Sequence, residues 1–380
     1  MRKNVRLLEV IGFLQGMVFY ASIAALYRRA CGLTVFQITL IEGVSAAAAM
    51  LLELPWGRLA ERIGYRRAMI LSNGLYFASK LVFWRAESFA AFLLERLILA
   101  AALAGLSGVD MSVLYLSDEK EKAQHNAGVY AACGQAGLLL SGAVYALLPE
   151  GAYRLSALMT AAVYGAAWAL TFRLKEVRPP EAGPEERASL KMLLWHFAVP
   201  GMAFLTLSGA LFGEECRCAA VWLAQLQYAR CGLPARAFGA AFVLVSAASL
   251  LSPLSDRVTK GAGRRKTGFL LMLCGGACAL ALARTDSAWL SAGLVAALSG
   301  THALLSPLLA AEIGDRVRTA DRATALSLNA LLEDAALMAV QPALGRAADH
   351  SLPLAFALIS GCCLAAAALF LSAFSGRART

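Results

Sequence analysis

The residues of this sequence best placed to do chemistry are polar and ionisable side chains set inside long apolar runs. Glu214, Glu215 and Arg217 interrupt one run, Glu333 and Asp334 another, Asp110 and His302 sit singly in two more, and Gln15 lies in the first. A charge at the centre of an apolar helix costs about 2.5–3.5 kcal/mol on insertion scales, so each needs a reason to be there. Glu214 and Arg217 are three residues apart, on one helix face, and can pair. Glu215 lies about 100° further round with no local partner. That is the setting of a carboxyl group that takes up and returns protons, or of one held by a structural hydrogen bond. Glu42 and Lys80 lie 15 and 13 residues from Gly57 and Arg67, at similar depth, and suit a structural ion pair. Arg96, near the start of its run, reads as a side chain that snorkels outward.

The elements that carry these residues follow from composition. Of 380 residues, 59% are hydrophobic and 16% charged, with a mean hydropathy of +0.63. A water-soluble domain carries roughly 25% charged residues, so lipid is the solvent for most of this surface. Apolar runs long enough to span a bilayer fall near 8–27, 35–57, 68–85, 89–114, 125–148 and 153–173. Six more fall near 201–228, 236–255, 267–284, 287–311, 323–346 and 352–374. Between the two sets, Lys175–Arg187 holds three prolines and reads as a linker, and Leu190–Phe197 as an interfacial segment before Pro200. The expected organisation is an N-terminal half (1–174), a linker with interfacial helix (175–198) and a C-terminal half (199–380).

The net charge of +10 is not a nucleic-acid footprint, because the basic residues cluster between apolar runs. With the N-terminus inside, the inner loops and tails hold 24 Lys and Arg against 8 outside, which places both termini and the linker in the cytoplasm. The first run lacks a small-residue cleavage site and reads as a retained span. Nine cysteines, mostly within apolar runs, read as small buried side chains; no metal-ligand spacing, P-loop, dinucleotide fingerprint or nucleophile elbow is present. No cofactor, metal or enzymatic reaction is expected. Tyr20, Tyr76, Trp84, Tyr130, Trp168 and Trp222 either line a pocket or form interfacial belts, with belts the better reading.

An internal repeat orders the spans. Tyr27-Arg28-Arg29-Ala30-Cys31-Gly32-Leu33 is echoed by Tyr228-Ala229-Arg230-Cys231-Gly232-Leu233. Ala60-Glu61-Arg62 before Arg66-Arg67 is echoed by Ser255-Asp256-Arg257 before Arg264-Arg265-Lys266, and Leu106-Ser107-Gly108-Val109-Asp110 by Leu298-Ser299-Gly300-Thr301-His302. Three matches in order, at offsets of 200, 195 and 192 residues, imply two parallel six-span halves related by a pseudo-two-fold axis along the membrane normal. Asp110 and His302 then occupy equivalent places. Either they form a protonation-sensitive pair across the axis, or each bonds within its own half.

Between the second and third runs the chain reads Glu53-Leu54-Pro55-Trp56-Gly57-Arg58-Leu59-Ala60-Glu61-Arg62-Ile63-Gly64-Tyr65-Arg66-Arg67. This resembles the signature loop of the major facilitator superfamily, commonly Gly-x-Leu-Ala-Asp-Arg-x-Gly-Arg-Arg/Lys. Glu61 keeps the charge of the usual Asp; Tyr65 replaces the first basic residue, which shifts the family's charge relay to Arg66 or Arg58. The resemblance implies an all-α membrane protein of twelve transmembrane helices in two pseudo-symmetric six-helix bundles. It also implies a central cavity lined by spans 1, 4, 7 and 10, which carry Gln15, Asp110, the Glu214/Glu215/Arg217 group and His302. Loops bearing Gly57, Arg58, Glu61, Arg62, Gly64, Arg66 and Arg67, with Asp256 and Arg257 in the second half, would latch the halves on the cytoplasmic side; plain positive-inside anchoring is the alternative. The Gly-Pro motif of drug–proton antiporters is absent from the fifth span, Gly128–Gly137.

The expectation is a monomeric secondary transporter of a small organic solute in the cytoplasmic membrane. It is similar to bacterial efflux-type members, coupled to protons through Asp110, Glu215, Glu333 and Asp334, and directed to export. A lipid or amphiphile translocator and a non-transporting sensor are the alternatives.

Overall fold

The computed structural model describes residues 2–117, 123–149, 151–177, 200–234, 237–316 and 322–375, and these are helices joined by short turns. Twelve long helical stretches follow one another. Eight are long and apolar enough to cross a membrane by length and composition; the other four are Tyr65–Arg85, Tyr153–Thr171, Pro200–Arg230 and Arg322–His350. Three of these four carry a functional candidate, Lys80, the Glu214 group or Asp334. Buried polar side chains lower mean hydropathy without removing the helix from the bilayer.

The first six spans are 1 (Arg2–Gly16, a 3-10 turn Ala21–Ile23, Ala24–Ala30), 2 (Val35–Ile63), 3 (Tyr65–Arg85), 4 (Phe89–Leu106 and Val109–Leu116), 5 (Ala123–Tyr145) and 6 (Tyr153–Thr171). The second six are 7 (Pro200–Cys218, a π-helical turn Ala219–Leu223, Ala224–Arg230), 8 (Ala237–Ala248, a 3-10 stretch Ser249–Leu254, Ser255–Ala262), 9 (Arg264–Arg284), 10 (Ala288–Arg316), 11 (Arg322–His350) and 12 (Leu352–Ser375). Spans 1, 4, 7 and 8 are therefore not the uninterrupted helices that their apolar runs suggest. Leu190–Phe197 lies outside the described residues.

The chain packs as two compact units. The first comprises Met1–Leu33, Val44–Pro184 and Ala235–Ala240; the second comprises Thr34–Gly43, Glu185–Pro234 and Ala241–Thr380. In the first, span 1 packs on 5 and 6, and span 3 on 4 and 6; in the second, span 7 packs on 11 and 12, and span 9 on 10 and 12. Those are the same pairings six spans apart, so the sequence repeat is a repeat of packing. In the second unit the start of span 2 is capped by span 11: the backbone N–H groups of Val35 and Phe36 donate to the Asp349 carboxylate at 2.7 and 2.8 Å.

The repeated Cys-Gly-Leu phrase is a helix stop. The Leu33 N–H donates to the Arg28 carbonyl at 3.1 Å and the Leu233 N–H to that of Tyr228 at 2.9 Å, closing the last turns of spans 1 and 7. The glycines between have φ of 86° and 72°, a conformation that costs a side-chain-bearing residue about 1–2 kcal/mol. The stop docks on the end of the span two further on. Tyr27 Oη donates to the Ala86 carbonyl at 3.2 Å, and Gln227 Nε2 to the Leu282 and Thr285 carbonyls at 3.3 and 3.2 Å.

Candidate functional site

In the first unit, span 1 breaks at Met17–Tyr20, directly after Gln15 and Gly16. The break frees backbone groups that side chains of span 6 take up, while the Gln15 side chain reaches span 3. Tyr164 Oη donates to the Gln15 carbonyl, Thr160 Oγ1 accepts from the Phe19 N–H at 3.0 Å, and Gln15 Nε2 donates to Asn73 Oδ1 at 2.7 Å. About two turns along span 3 from Asn73, Lys80 is 4% exposed, with its ammonium 4.9, 5.1 and 5.8 Å from the ring centres of Tyr76, Tyr164 and Tyr20. Ring faces are the electrostatic partners an ammonium can take inside an apolar helix bundle. Tyr20 and Tyr76 are thus core residues and not belt residues. Tyr130 and Trp168 also turn inward, to Asp110 Oδ2 at 3.2 Å and the Ile70 carbonyl at 3.0 Å.

Further along the same unit, Arg28 and Glu95 form a pair 3.6 Å apart at 0% and 1% exposure. Arg28 lies 5.8 and 5.6 Å from the rings of Phe83 and Phe92. Arg96 does not simply snorkel: its Nε lies 3.5 Å from Glu95. Sequence reasoning missed this group, although the adjacent Glu95 and Arg96 within an apolar run were the available signal. Asp110 opens the second half of span 4, where it accepts from the Met111 N–H at 2.7 Å and from Tyr130, bonds within its own unit.

In the second unit, span 7 carries its polar group just before the π-helical turn at Ala219–Leu223, a distortion that recurs at functional sites. Glu214 is 3% exposed. It accepts from Arg217 Nε at 2.6 Å and from Gln341 Nε2 of span 11 at 3.3 Å, and Asp334 is near enough for its charge to act on Glu214. Arg217 is 47% exposed and also acts on His302, whose ring lies against the backbone of Gly213. Glu214, Arg217, Asp334, Gln341 and His302 therefore form one polar group contributed by spans 7, 10 and 11; the Glu333 side chain lies outside the described residues.

Glu215 stands apart. It is 0% exposed and turned to span 12, where the Cys362 thiol lies beside its carboxyl group. The resemblance implied that Glu215 lines a central cavity; its side chain instead faces span 12, because residues one step apart on span 7 diverge by about 100°. Glu42 belongs to the second unit and Lys80 to the first.

The signature loop is tied down within the first unit. Gly64, with φ of 90°, turns the chain from span 2 into span 3. The Glu176 carboxylate covers the new helix start, accepting from the Arg66 N–H at 3.3 Å. The Arg66 guanidinium donates to the Leu174 and Phe172 carbonyls at 2.7 and 2.8 Å, closing the end of span 6. Arg66 is therefore a helix cap; Arg58 and Arg62 are exposed and the Glu61 side chain lies outside the described residues. In the second unit Asp256 pairs with Lys260 at 2.6 Å, while Arg257 is exposed. Arg264 reaches Asp315 and Glu312 at 2.6 and 3.3 Å.

Residues 8–339 match the family described as Major Facilitator Superfamily. Among curated proteins none matches the sequence. Solved structures share the fold. The nucleoside transporter NupG superposes with a TM-score of 0.80 at 14% identity, covering 98% of this chain and 99% of that one. A bacterial homolog of the human lysosomal transporter Spinster, inward-facing and unoccupied, gives 0.78 at 16%, covering 98% and 96%. The human organic anion transporter MFSD10 (TETRAN) gives 0.63 at 16%, covering 97% and 99%.

Proposed function

The chain belongs to the Major Facilitator Superfamily and is an integral membrane protein of the transporter class; we propose that it moves a small organic solute by alternating access, coupled to protons, with export as its direction. The observation that carries the coupling is Glu214. A 3% exposed carboxylate held by a half-exposed arginine can exchange that partner for a proton, which frees the Arg217 guanidinium to meet an anionic solute and changes the charge of the group. The Gln15, Asn73 and Tyr164 set in the first unit supplies hydrogen-bonding groups of the type that orient a polar solute. The efflux direction rests on the likeness of the sequence to efflux-type members. The cytoplasmic side of both termini rests on the excess of 24 inner over 8 outer basic residues.

The test is purified protein in liposomes with an imposed pH gradient and a panel that includes nucleosides and organic anions. Flux that follows the gradient in wild type and loses that dependence in Glu214→Gln supports the reading. Flux of short-chain phospholipids alone would replace the reading with lipid translocation, and no flux at all with a non-transporting role.

A further inference from the structure

We infer that Asp349, at the end of span 11, is a positioning residue for transport: it latches the start of span 2 in this structure and releases it when the transporter opens on that side. Span 2 begins with its own capping box. The Gln37 N–H donates to Thr34 Oγ1 at 3.1 Å and the Thr34 N–H to Gln37 Oε1 at 3.0 Å. That box leaves the N–H groups of Val35 and Phe36 with no acceptor in their own helix, and the Asp349 carboxylate takes both, one on each oxygen. Asp349 is exposed, so water can take its place and the cap can come off without stranding a buried donor. Behind the cap the contact is dry. Thr39 is 0% exposed, and its hydroxyl donates within its own helix, to the Val35 and Phe36 carbonyls at 3.1 Å each. A Cβ on Gly345 of span 11 would run into Thr39 Oγ1 and stand 3.0 Å from the Phe36 Cα. The two helices therefore touch through a glycine, and parting them breaks neither hydrogen bond of the Thr39 hydroxyl.

The division of the chain gives this contact its role. Thr34–Gly43 packs in the second unit, whereas the same unbroken helix continues from Val44 in the first. Span 8 does the reverse, with Ala235–Ala240 in the first unit and the chain from Ala241 in the second. There a Cβ on Gly239 would run into the Gly142 carbonyl of span 5 and stand 3.1 Å from the Ala146 nitrogen. Position 239 is position 39 moved by the 200-residue offset of the repeat. Each unit thus holds the tip of a helix whose remainder belongs to the other, so a motion of one unit against the other has to free both tips. Under the proposed topology both tips lie at the outer ends of their spans, and the latch acts on the outer opening. The inference rests on alternating access and not on the coupling ion or the solute.

Maleimide labelling of Thr39→Cys in the purified full chain tests this, with the buried native Cys216 and Cys218 of the same molecule reporting global unfolding. Asp349→Ala should speed labelling at position 39 about fivefold, the size of a lost helix cap. Asp349→Asn, whose amide oxygen can still accept, should stay within about twofold of the parent. Gly239→Ala, which crowds the span 8 tip, should also speed labelling at position 39 about fivefold, because the two tips leave together. Gly361→Ala on span 12, with open space at its Cβ, should stay within about twofold. Unchanged labelling at position 39 in Asp349→Ala reduces Asp349 to a local cap and overturns the proposal, and unchanged labelling in Gly239→Ala overturns the joint release. Cys216 and Cys218 rising in step with position 39 assigns Asp349 to folding and overturns it too. Labelling needs neither solute nor gradient, so a failed flux assay leaves this result standing.

Discussion

Removing either half of the Glu214–Arg217 pair should have unequal consequences, because burial divides the pair unequally. Glu214 is 3% exposed and Arg217 47%. In Glu214→Gln the orphaned guanidinium already touches solvent and can turn to it, while the new amide keeps its contact with Gln341. The loss is that of a half-screened pair, below about 1 kcal/mol. In Arg217→Gln the carboxylate stays in the bundle with Asp334 nearby and only Gln341 to meet it. Stranding a buried charge costs about 3–5 kcal/mol in full, and the surviving amide contact brings the expected loss to about 2 kcal/mol. Unfolding of the purified variants in mixed micelles of sodium dodecyl sulfate measures both. Counterflow exchange and pH-driven flux, measured in parallel, separate solute binding from coupling: Glu214→Gln should retain exchange and lose the response to the gradient. Equal destabilisation of the two variants, or a fully retained pH response in Glu214→Gln, would refute the reasoning.

The Arg28–Glu95 pair should behave as one unit: Glu95→Gln and Arg28→Met should each cost about 3 kcal/mol, and the double variant less than their sum. A double-mutant cycle by the same unfolding assay, with additive losses, would contradict it. Gly64→Ala forces a side chain into a φ of 90° beside Glu176 and should cost about 1–3 kcal/mol. Gly57→Ala, in the same signature loop but mid-helix with open space at its Cβ, should gain about 0.5–1 kcal/mol; transport lost without stability lost would assign Gly57 to loop closure. Lys80→Met should fold, since the Tyr20, Tyr76 and Tyr164 rings pack a thioether as readily as an ammonium, and it should lose flux of anionic solutes alone; parallel loss for neutral solutes counts against a charge role.

Much of the architecture was legible in the residues. Apolar length sets the spans, the recurrence of Cys31-Gly32-Leu33 as Cys231-Gly232-Leu233 marks equivalent helix ends, and the three-residue spacing of Glu214 and Arg217 fixes their pairing, because each depends only on helical rise and rotation. The rest depends on neighbours far along the chain. Gln15 became one of the residues at a helix break only where Tyr164 and Thr160 take up the freed backbone, and Arg66 became a cap only because the end of span 6 lies over it. Glu214 and Glu215 are adjacent in sequence, and helical spacing already pairs Glu214 with Arg217; that Glu214 also meets Gln341 and that Glu215 faces Cys362 follows from the azimuth at which span 7 packs between spans 11 and 12. Period and composition along a helix state that a face is polar. Only packing decides what that face meets, since contact in a helical bundle is set between segments a hundred residues apart.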